Sequence, residues 1–171
     1  MLLYHGSGKD FLSFDLDRAR GGKDFGKGIY LTTCYEQAKT WAISKAHGGQ
    51  GFVYTVDVDK SLFTDYKHYS ILSLPSYNKE WADFIAKSRL EFYETTYDIV
   101  FGKMADNNYD DLSNYLERYY ITGDCSIAML LMSIRQRNTD YDQYCFKTER
   151  AVALLNQHIT DKQLVKKGGL R

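Results

Sequence analysis

The sequence has one proline, Pro75, three cysteines in 171 residues, and no excess of either charge. Cys34, Cys125 and Cys145 lie far apart, are odd in number and share no paired spacing with each other or with the four histidines. Neither a disulfide frame nor a zinc site is indicated. Lys plus Arg and Asp plus Glu are 22 each, so the formal net charge is zero and no global field draws the protein to nucleic acid or anionic lipid. The longest apolar run, Ile127 to Met132, is too short to cross a bilayer, and no membrane partner is expected. MLLYHGSGKD at the N-terminus lacks a basic region followed by an apolar stretch and a small-residue cleavage site. A cytoplasmic location is the expectation. No repeat, low-complexity tract or linker is visible, so residues 1–171 are expected to form one domain.

Hydrophobic residues at 44% and charged residues at 26% sit near the globular average. Fifteen tyrosines are unusual. Each can pack its ring and still hydrogen-bond at its tip, which suits grooves, although half-buried strand and helix surface is the plainer explanation.

Apolar patterning predicts strands at Leu2 to His5, Ile29 to Thr32, Phe52 to Val58, Tyr97 to Met104 and Tyr141 to Lys147. Helical spacing predicts helices over Glu36 to Ala46, Lys79 to Phe92, Tyr109 to Tyr119, Cys125 to Gln136 and Thr148 to Gln157. Asp124 is a candidate cap, Trp81, Phe84 and Met129 to Met132 are expected in the core, and KKGGLR is expected to fray. Ser7 to Lys27 reads as a long loop, of a length that is often functional, and Asp59 to Tyr77 as irregular. The mixture predicts an α+β fold.

The loop ends in Gly21-Gly22-Lys23-Asp24-Phe25-Gly26-Lys27-Gly28, close to a phosphate-binding P-loop. A P-loop needs Ser or Thr where Gly28 stands and a helix where Ile29-Tyr30-Leu31 predicts a strand, so that reading fails. The dinucleotide fingerprint fails too, because Leu31 stands where its third glycine belongs.

His5-Gly6-Ser7 at the end of the first strand and Phe25-Gly26-Lys27-Gly28-Ile29-Tyr30 resemble the His-Gly motif and the glycine-rich approach to the signature tyrosine of ADP-ribosyltransferases. The match is to the poly-ADP-ribose polymerase and diphtheria toxin branch, whose signature is His, Tyr, Glu. Tyr4-His5-Gly6-Ser7, Asp24-Phe25-Gly26-Lys27-Gly28, Tyr97-Asp98-Ile99-Val100 and Thr148-Glu149 resemble, from end to end, a family of small bacterial proteins placed in the same fold. The resemblance implies a split β-sandwich with peripheral helices and NAD as co-substrate, with no metal.

Cleaving the glycosidic bond of NAD passes through an oxocarbenium-like state, so such a site must hold nicotinamide, bend the ribose and stabilise positive charge. By resemblance, His5 would bond the adenosine ribose, the Gly6 backbone the carboxamide, and Tyr30 would stack on nicotinamide, with Ser7 and Gly28 completing the cofactor-binding set. Trp41, eleven residues beyond Tyr30, stands where the polymerases place a second stacking aromatic. Ala38 stands where they carry a serine that bonds the carboxamide. In the strand Tyr141 to Phe146 the residue matching the signature glutamate is Gln143, an amide that carries no charge and cannot act as a base. Polymer formation is therefore doubtful, while Gln143→Glu is expected to retain or raise NAD cleavage. Glu149 is the first candidate to supply a carboxylate, ahead of Asp98 and Asp106.

Each residue also has a plainer explanation. His5 can be a histidine satisfied by backbone at a strand end, Gly26 and Gly28 a tight turn, Tyr30 and Trp41 core, Gln143 a strand-face amide, and Glu149 a helix-start acid. Arg18, Arg20, Lys23 and Lys27 can contact the NAD pyrophosphate or form a solvated basic loop. The resemblance implies mono-ADP-ribosyl transfer to a macromolecule, a protein rather than a nucleic acid. The alternatives are NAD hydrolysis and a non-catalytic NAD-binding module. By analogy with small toxins, a neutralising partner protein is implied as well.

Overall fold

Backbone pairing, not helix packing, sets the frame. The computed structural model describes residues 1–47, 49–91, 93, 95–105, 109–135 and 141–166. Among them are seven strands: β1 (Leu2–Ser7), β2 (Ile29–Leu31), β3 (Gly51–Asp57), β4 (Ile71–Leu74), β5 (Ile99–Lys103), β6 (Asp142–Phe146) and β7 (Ile159–Val165). Five α-helices accompany them: α1 (Tyr35–Lys45), α2 (Lys79–Leu90), α3 (Tyr109–Glu117), α4 (Ile127–Ile134) and α5 (Glu149–Gln157). The strands form one sheet in the order β1-β3-β7 and a second in the order β2-β6-β5-β4, antiparallel except for β4 with β5. The fold is α+β.

Alternation along the strands sorts the side chains into layers. Leu3, Val56, Ile29, Leu31, Ile99 and Phe146 come from both sheets and join Val152 and Leu155 of α5 in a central core. Tyr30, Val100 and Cys145 point to the opposite face of the second sheet, which α2, α3 and α4 cover through Trp81, Ile85, Leu116 and Leu130. On the first sheet, Ala38 and Ala42 of α1 pack on Val53 and Val165. Both sheets are thus sandwiched between a shared core and an outer layer of helix.

Helix starts follow from capping side chains. Asn78 Oδ1 accepts from Trp81 N at 3.0 Å, Ser126 Oγ from Met129 N at 3.3 Å and Thr148 Oγ1 from Ala151 N at 3.4 Å. Asp124 does not cap α4; its carboxylate accepts from Thr122 Oγ1. Two strands escaped the sequence reading. β4 is four residues long inside the stretch read as irregular, and β7, exposed over most of its length on a sheet edge, shows no apolar alternation. Met129 and Met132 are solvent-exposed on α4, where Leu130 and Ile134 alone are buried, so the methionines expected in the core are not there. Phe92, Gln136 and residues 167–171, which enter the expectations above, lie outside the described residues.

Asp98 ties the starts of β4, β5 and α5 together. Its buried carboxylate accepts from Ser70 N at 2.8 Å, Thr148 Oγ1 at 2.6 Å and the Arg150 guanidinium, with Nε at 2.7 Å. Burial alone would raise its pKa, but these donors outweigh burial and hold it below the ordinary carboxylate value. A depressed folded pKa contributes stability above the unfolded value of about 3.9, and that contribution is lost as pH falls through the folded value. Asp98→Ala is expected to cost about 2 to 3 kcal/mol, because it removes three hydrogen bonds to a buried charge. Urea denaturation checks this, and a loss under 1 kcal/mol, about the value of one ordinary hydrogen bond, would contradict it.

Candidate functional site

The two sheets meet at one backbone pair, where Tyr4 of β1 and Thr32 exchange N–H···O bonds of 2.8 and 3.0 Å. His5 follows at once, and its Nδ1 lies 2.7 Å from the carbonyl oxygen of Tyr30. A carbonyl can only accept, so Nδ1 carries the proton and Nε2 is left as an acceptor. Burial, with Lys45 and then Lys23 adding repulsion, draws the His5 pKa down to about 3 despite the carbonyl bond. The ring stands edge-on to Phe14 at 5.2 Å between centroids.

Tyr4 turns its N–H and C=O away from β3 toward Thr32, and by the two-residue period of an antiparallel strand Gly6 does the same. Its carbonyl accepts from Lys45 Nζ at 2.9 Å. A Cβ on Gly6 would fall 2.0 Å from the carbonyl oxygen of Ala38, so glycine here lets β1 lie directly against α1. Beside it, Ser7 Oγ donates to Lys9 O and accepts from Lys9 N, which commits the hydroxyl expected on the cofactor to a turn.

The glycine-rich segment has equally local causes. Gly26 has a φ of +78°, and a Cβ on Gly28 would lie 2.4 Å from Cys145 Sγ, so glycine at 28 lets the chain lie against β6. Together they let the chain turn into β2, where the Tyr30 hydroxyl donates to Gly26 O at 2.7 Å and accepts from Phe25 N at 3.0 Å. The Tyr30 ring is buried and nearly parallel to Phe25, with Lys23 Nζ 5.0 Å from its centroid. Burial pushes its hydroxyl well above the ordinary tyrosine pKa. Trp41 is half-buried on α1 with Lys45 Nζ 6.0 Å from its ring. Tyr30 and Trp41 are not in ring contact with each other; each is attended by a lysine instead.

Those lysines feel each other. Lys45 is pulled down to about 8 by surrounding protein and by Lys23, while Lys23 is lowered by its surroundings and by Arg20 and Arg89. Both are solvent-exposed, each with its ammonium over an aromatic ring, Lys23 over Tyr30 and Lys45 over Trp41. Neither forms an ion pair among the described residues. Arg18, Arg20 and Lys27 are exposed as well, and Arg18 pairs with Asp15.

Gln143 lies on β6 with its side chain on the Tyr30 and Cys145 face. Its Nε2 donates to Asp24 Oδ2 at 2.7 Å, and Asp24, itself buried, is held by Arg89 Nε at 2.7 Å and Ala105 N at 3.0 Å. Glu149 is not brought here. It is the exposed first residue of α5, beyond the opposite end of β6, where a helix N-terminus favours an acid. Asp98 is consumed by Arg150 and Thr148, and Asp106 lies outside the described residues. Sequence reading passed over Asp24, Arg89 and Lys45. Asp24 adjoins the recognised motif and was readable as the acid of Asp-Phe-Gly; Arg89 and Lys45 carry no local signal. Among the described residues no cluster of His, Cys, Asp and Glu is arranged to hold a metal, and no helix is long and apolar enough to cross a membrane.

Residues 1–157 match the family described as "Protein of unknown function (DUF3990)". The chain belongs to that family. No curated protein and no solved structure matches it. Every residue of the seam and of the Asp24 cluster falls inside the matched span, so the site belongs to the part of the chain that defines the family.

His5 is expected to stay neutral, with its proton on Nδ1, from about pH 8 down to about pH 5, which ¹⁵N NMR of the ring reads directly. An unfolded histidine takes up its proton near 6.5, so the His5 contribution to stability is present above that pH and is lost as pH falls toward the folded value. A ring titrating near 6.5 in the folded protein would overturn the assignment.

Proposed function

We propose that the protein is an NAD-dependent mono-ADP-ribosyltransferase acting on a macromolecule, with the seam between β1 and β2 as its dinucleotide site. On this reading the two facing sheets are the split sandwich of that fold. The observation that carries the proposal is the hydrogen bond from His5 to the Tyr30 carbonyl, which joins two motifs 25 residues apart and leaves His5 Nε2 as an acceptor.

The residues present fit a dinucleotide. His5 Nε2 accepts from a ribose hydroxyl and, being neutral, orients without donating a proton. The Gly6 edge offers backbone groups to a carboxamide once Lys45 leaves its carbonyl. Lys23 and Lys45, unpaired by carboxylates among the described residues and standing over Tyr30 and Trp41, can move to the pyrophosphate and uncover both rings for nicotinamide. NAD supplies an activated N-glycosidic bond, whose electron pair leaves with nicotinamide while the ADP-ribosyl group passes to a nucleophile that gives up its proton. Gln143 accepts a hydroxyl hydrogen bond but adds no charge, which makes transfer of a single unit the fitting outcome.

One observation favours a second reading, a module that holds NAD without cleaving it: two lysines and an amide surround the place where positive charge would grow. Nicotinamide release from NAD by purified protein, with and without cell lysate, separates the cases. Release that needs lysate is the result expected of a transferase. Release without lysate means hydrolysis, tight binding without release means a module, and the absence of binding refutes the site. Lys23→Met and Lys45→Met are each expected to weaken NAD binding roughly tenfold by calorimetry. Free nicotinamide, which has no phosphate, should lose no affinity in either variant; equal losses for both ligands would show that the lysines do not meet the pyrophosphate.

A further inference from the structure

The Gln143 amide has two chemically different ends, and its surroundings decide which one a ligand meets. Nε2 sits 2.7 Å from Asp24 Oδ2 and 3.4 Å from Lys103 O. A carboxylate and a carbonyl both only accept, so the NH₂ end is the one that fits there. Asp24 cannot turn to suit another arrangement. Its Oδ1 is taken by the Arg89 guanidinium of α2 and its Oδ2 by Ala105 N and by Gln143, so donors from three parts of the chain fix one carboxylate. At the other end of the amide, Oε1 accepts from none of the described residues.

We infer that Asp24 is a positioning residue that turns the Gln143 amide so that its oxygen faces the ligand, making position 143 an acceptor and selecting a ligand that offers a hydroxyl there. The inference rests on the NAD reading, in which that hydroxyl belongs to a ribose. Asp24→Asn keeps the shape and removes the directing charge. An asparagine that presents its oxygen to the charged Arg89 turns its NH₂ toward Gln143 and gives up the bond from Ala105 N, and the amide of Gln143 then flips to accept, showing a donor to the ligand. The same geometry corrects the expectation for Gln143→Glu. A carboxylate at 143 would stand at hydrogen-bond distance from Asp24, and two such groups share a proton, so no second negative charge appears in the cleft near neutral pH. The double variant Asp24→Asn/Gln143→Glu conserves the total charge and moves the carboxylate to the signature position, with the new amide donating to it.

Four proteins therefore test the inference: wild type, Asp24→Asn, Gln143→Glu and the double variant, each checked for folding by circular dichroism and assayed for NAD cleavage. Asp24→Asn is expected to lower kcat by on the order of tenfold or more with a smaller change in KM. Gln143→Glu should be slower than wild type, and the double variant should at least restore the wild-type rate. A Gln143→Glu enzyme as fast as the double variant, or an Asp24→Asn enzyme with unchanged kcat, would overturn the inference.

Two NMR readouts hold whether or not NAD is the ligand. The side-chain NH₂ of Gln143 should move strongly in Asp24→Asn, and the carboxyl introduced by Gln143→Glu alone should titrate above the ordinary glutamate value of about 4.3. An unmoved NH₂ or an ordinary titration overturns the positioning role. If both NMR results come out as expected while wild type neither binds nor cleaves NAD, only the NAD reading has failed. Should Asp24→Asn not fold, the titration in Gln143→Glu alone decides.

Discussion

A buried carboxylate must find donors, and in this protein the search for donors by Asp24 ties the chain together. The loop after β1 has to deliver Asp24 to a point that α2 reaches with Arg89, that the end of β5 reaches with Ala105 N and that β6 reaches with Gln143. Breaking such a pair from one side leaves a buried charge alone, which is far more damaging than never having built it. The loop is therefore anchored at its far end although it has little regular structure. Phe25, Gly26 and Gly28 then have only a few residues in which to turn the chain into β2, which is why one glycine takes a left-handed conformation and another lies against Cys145. The motif that resembles a nucleotide signature is, mechanically, the shortest route from a buried acid to a buried strand.

The seam follows from that anchoring. Once β2 is placed, its edge meets the edge of β1 in a single pair, Tyr4 with Thr32, and beyond that pair the edges part. Strand edges that part leave unpaired backbone groups, which globular proteins ordinarily cover or charge. Here His5 covers one by donating to Tyr30 O, and Lys45 covers another by donating to Gly6 O. The two coverings differ in strength of commitment. The His5 bond is made by a neutral ring packed against Phe14, whereas the Lys45 bond is made by a flexible side chain in contact with solvent that repels its neighbour Lys23. On the proposed reading, a ligand would displace the second and use the first.

Much of the frame was legible because its elements are periodic and mostly apolar: β1, β3, β5 and β6 and the cores of all five helices lie where alternation and 3.6-residue spacing put them. β7 was not legible, since an edge strand with five consecutive exposed residues owes its existence to hydrogen bonding with β3 and not to its own pattern. Met129 and Met132 misled for the opposite reason: α4 is apolar on every side, and periodicity cannot say which side is covered. At the site, His5, Tyr30 and Gln143 were picked out by motif and order, but their partners were not. Lys45 and Arg89 are ordinary basic residues on ordinary helices, and only the packing of α1 on β1 and of α2 on the second sheet brings them to the seam and to Asp24. Glu149 shows the limit of arguing by distance along the chain, because six residues of strand and turn carried it out of reach of Gln143.

The charge distribution at the seam bears on how far any chemistry there could go. A surface that carries Lys23 and Lys45 close enough to repel each other attracts an anion and resists a growing cation, and both effects are enlarged where protein displaces water. If the ligand is NAD, as proposed, its doubly charged pyrophosphate would satisfy both lysines and cancel the field that opposes positive charge on the neighbouring ribose. Binding of the phosphates would thereby become a condition for cleavage as well as a source of affinity. Asp24 is a counterweight on the same face of the second sheet, its charge shared with Arg89 and passed on through the oriented dipole of the Gln143 amide. A dipole stabilises a cation less than a carboxylate in contact with it. On the proposed NAD reading, the arrangement would therefore suit a reaction that runs slowly and only when the anionic part of the ligand is seated, or one that waits for an acceptor to bring its own nucleophile and negative charge.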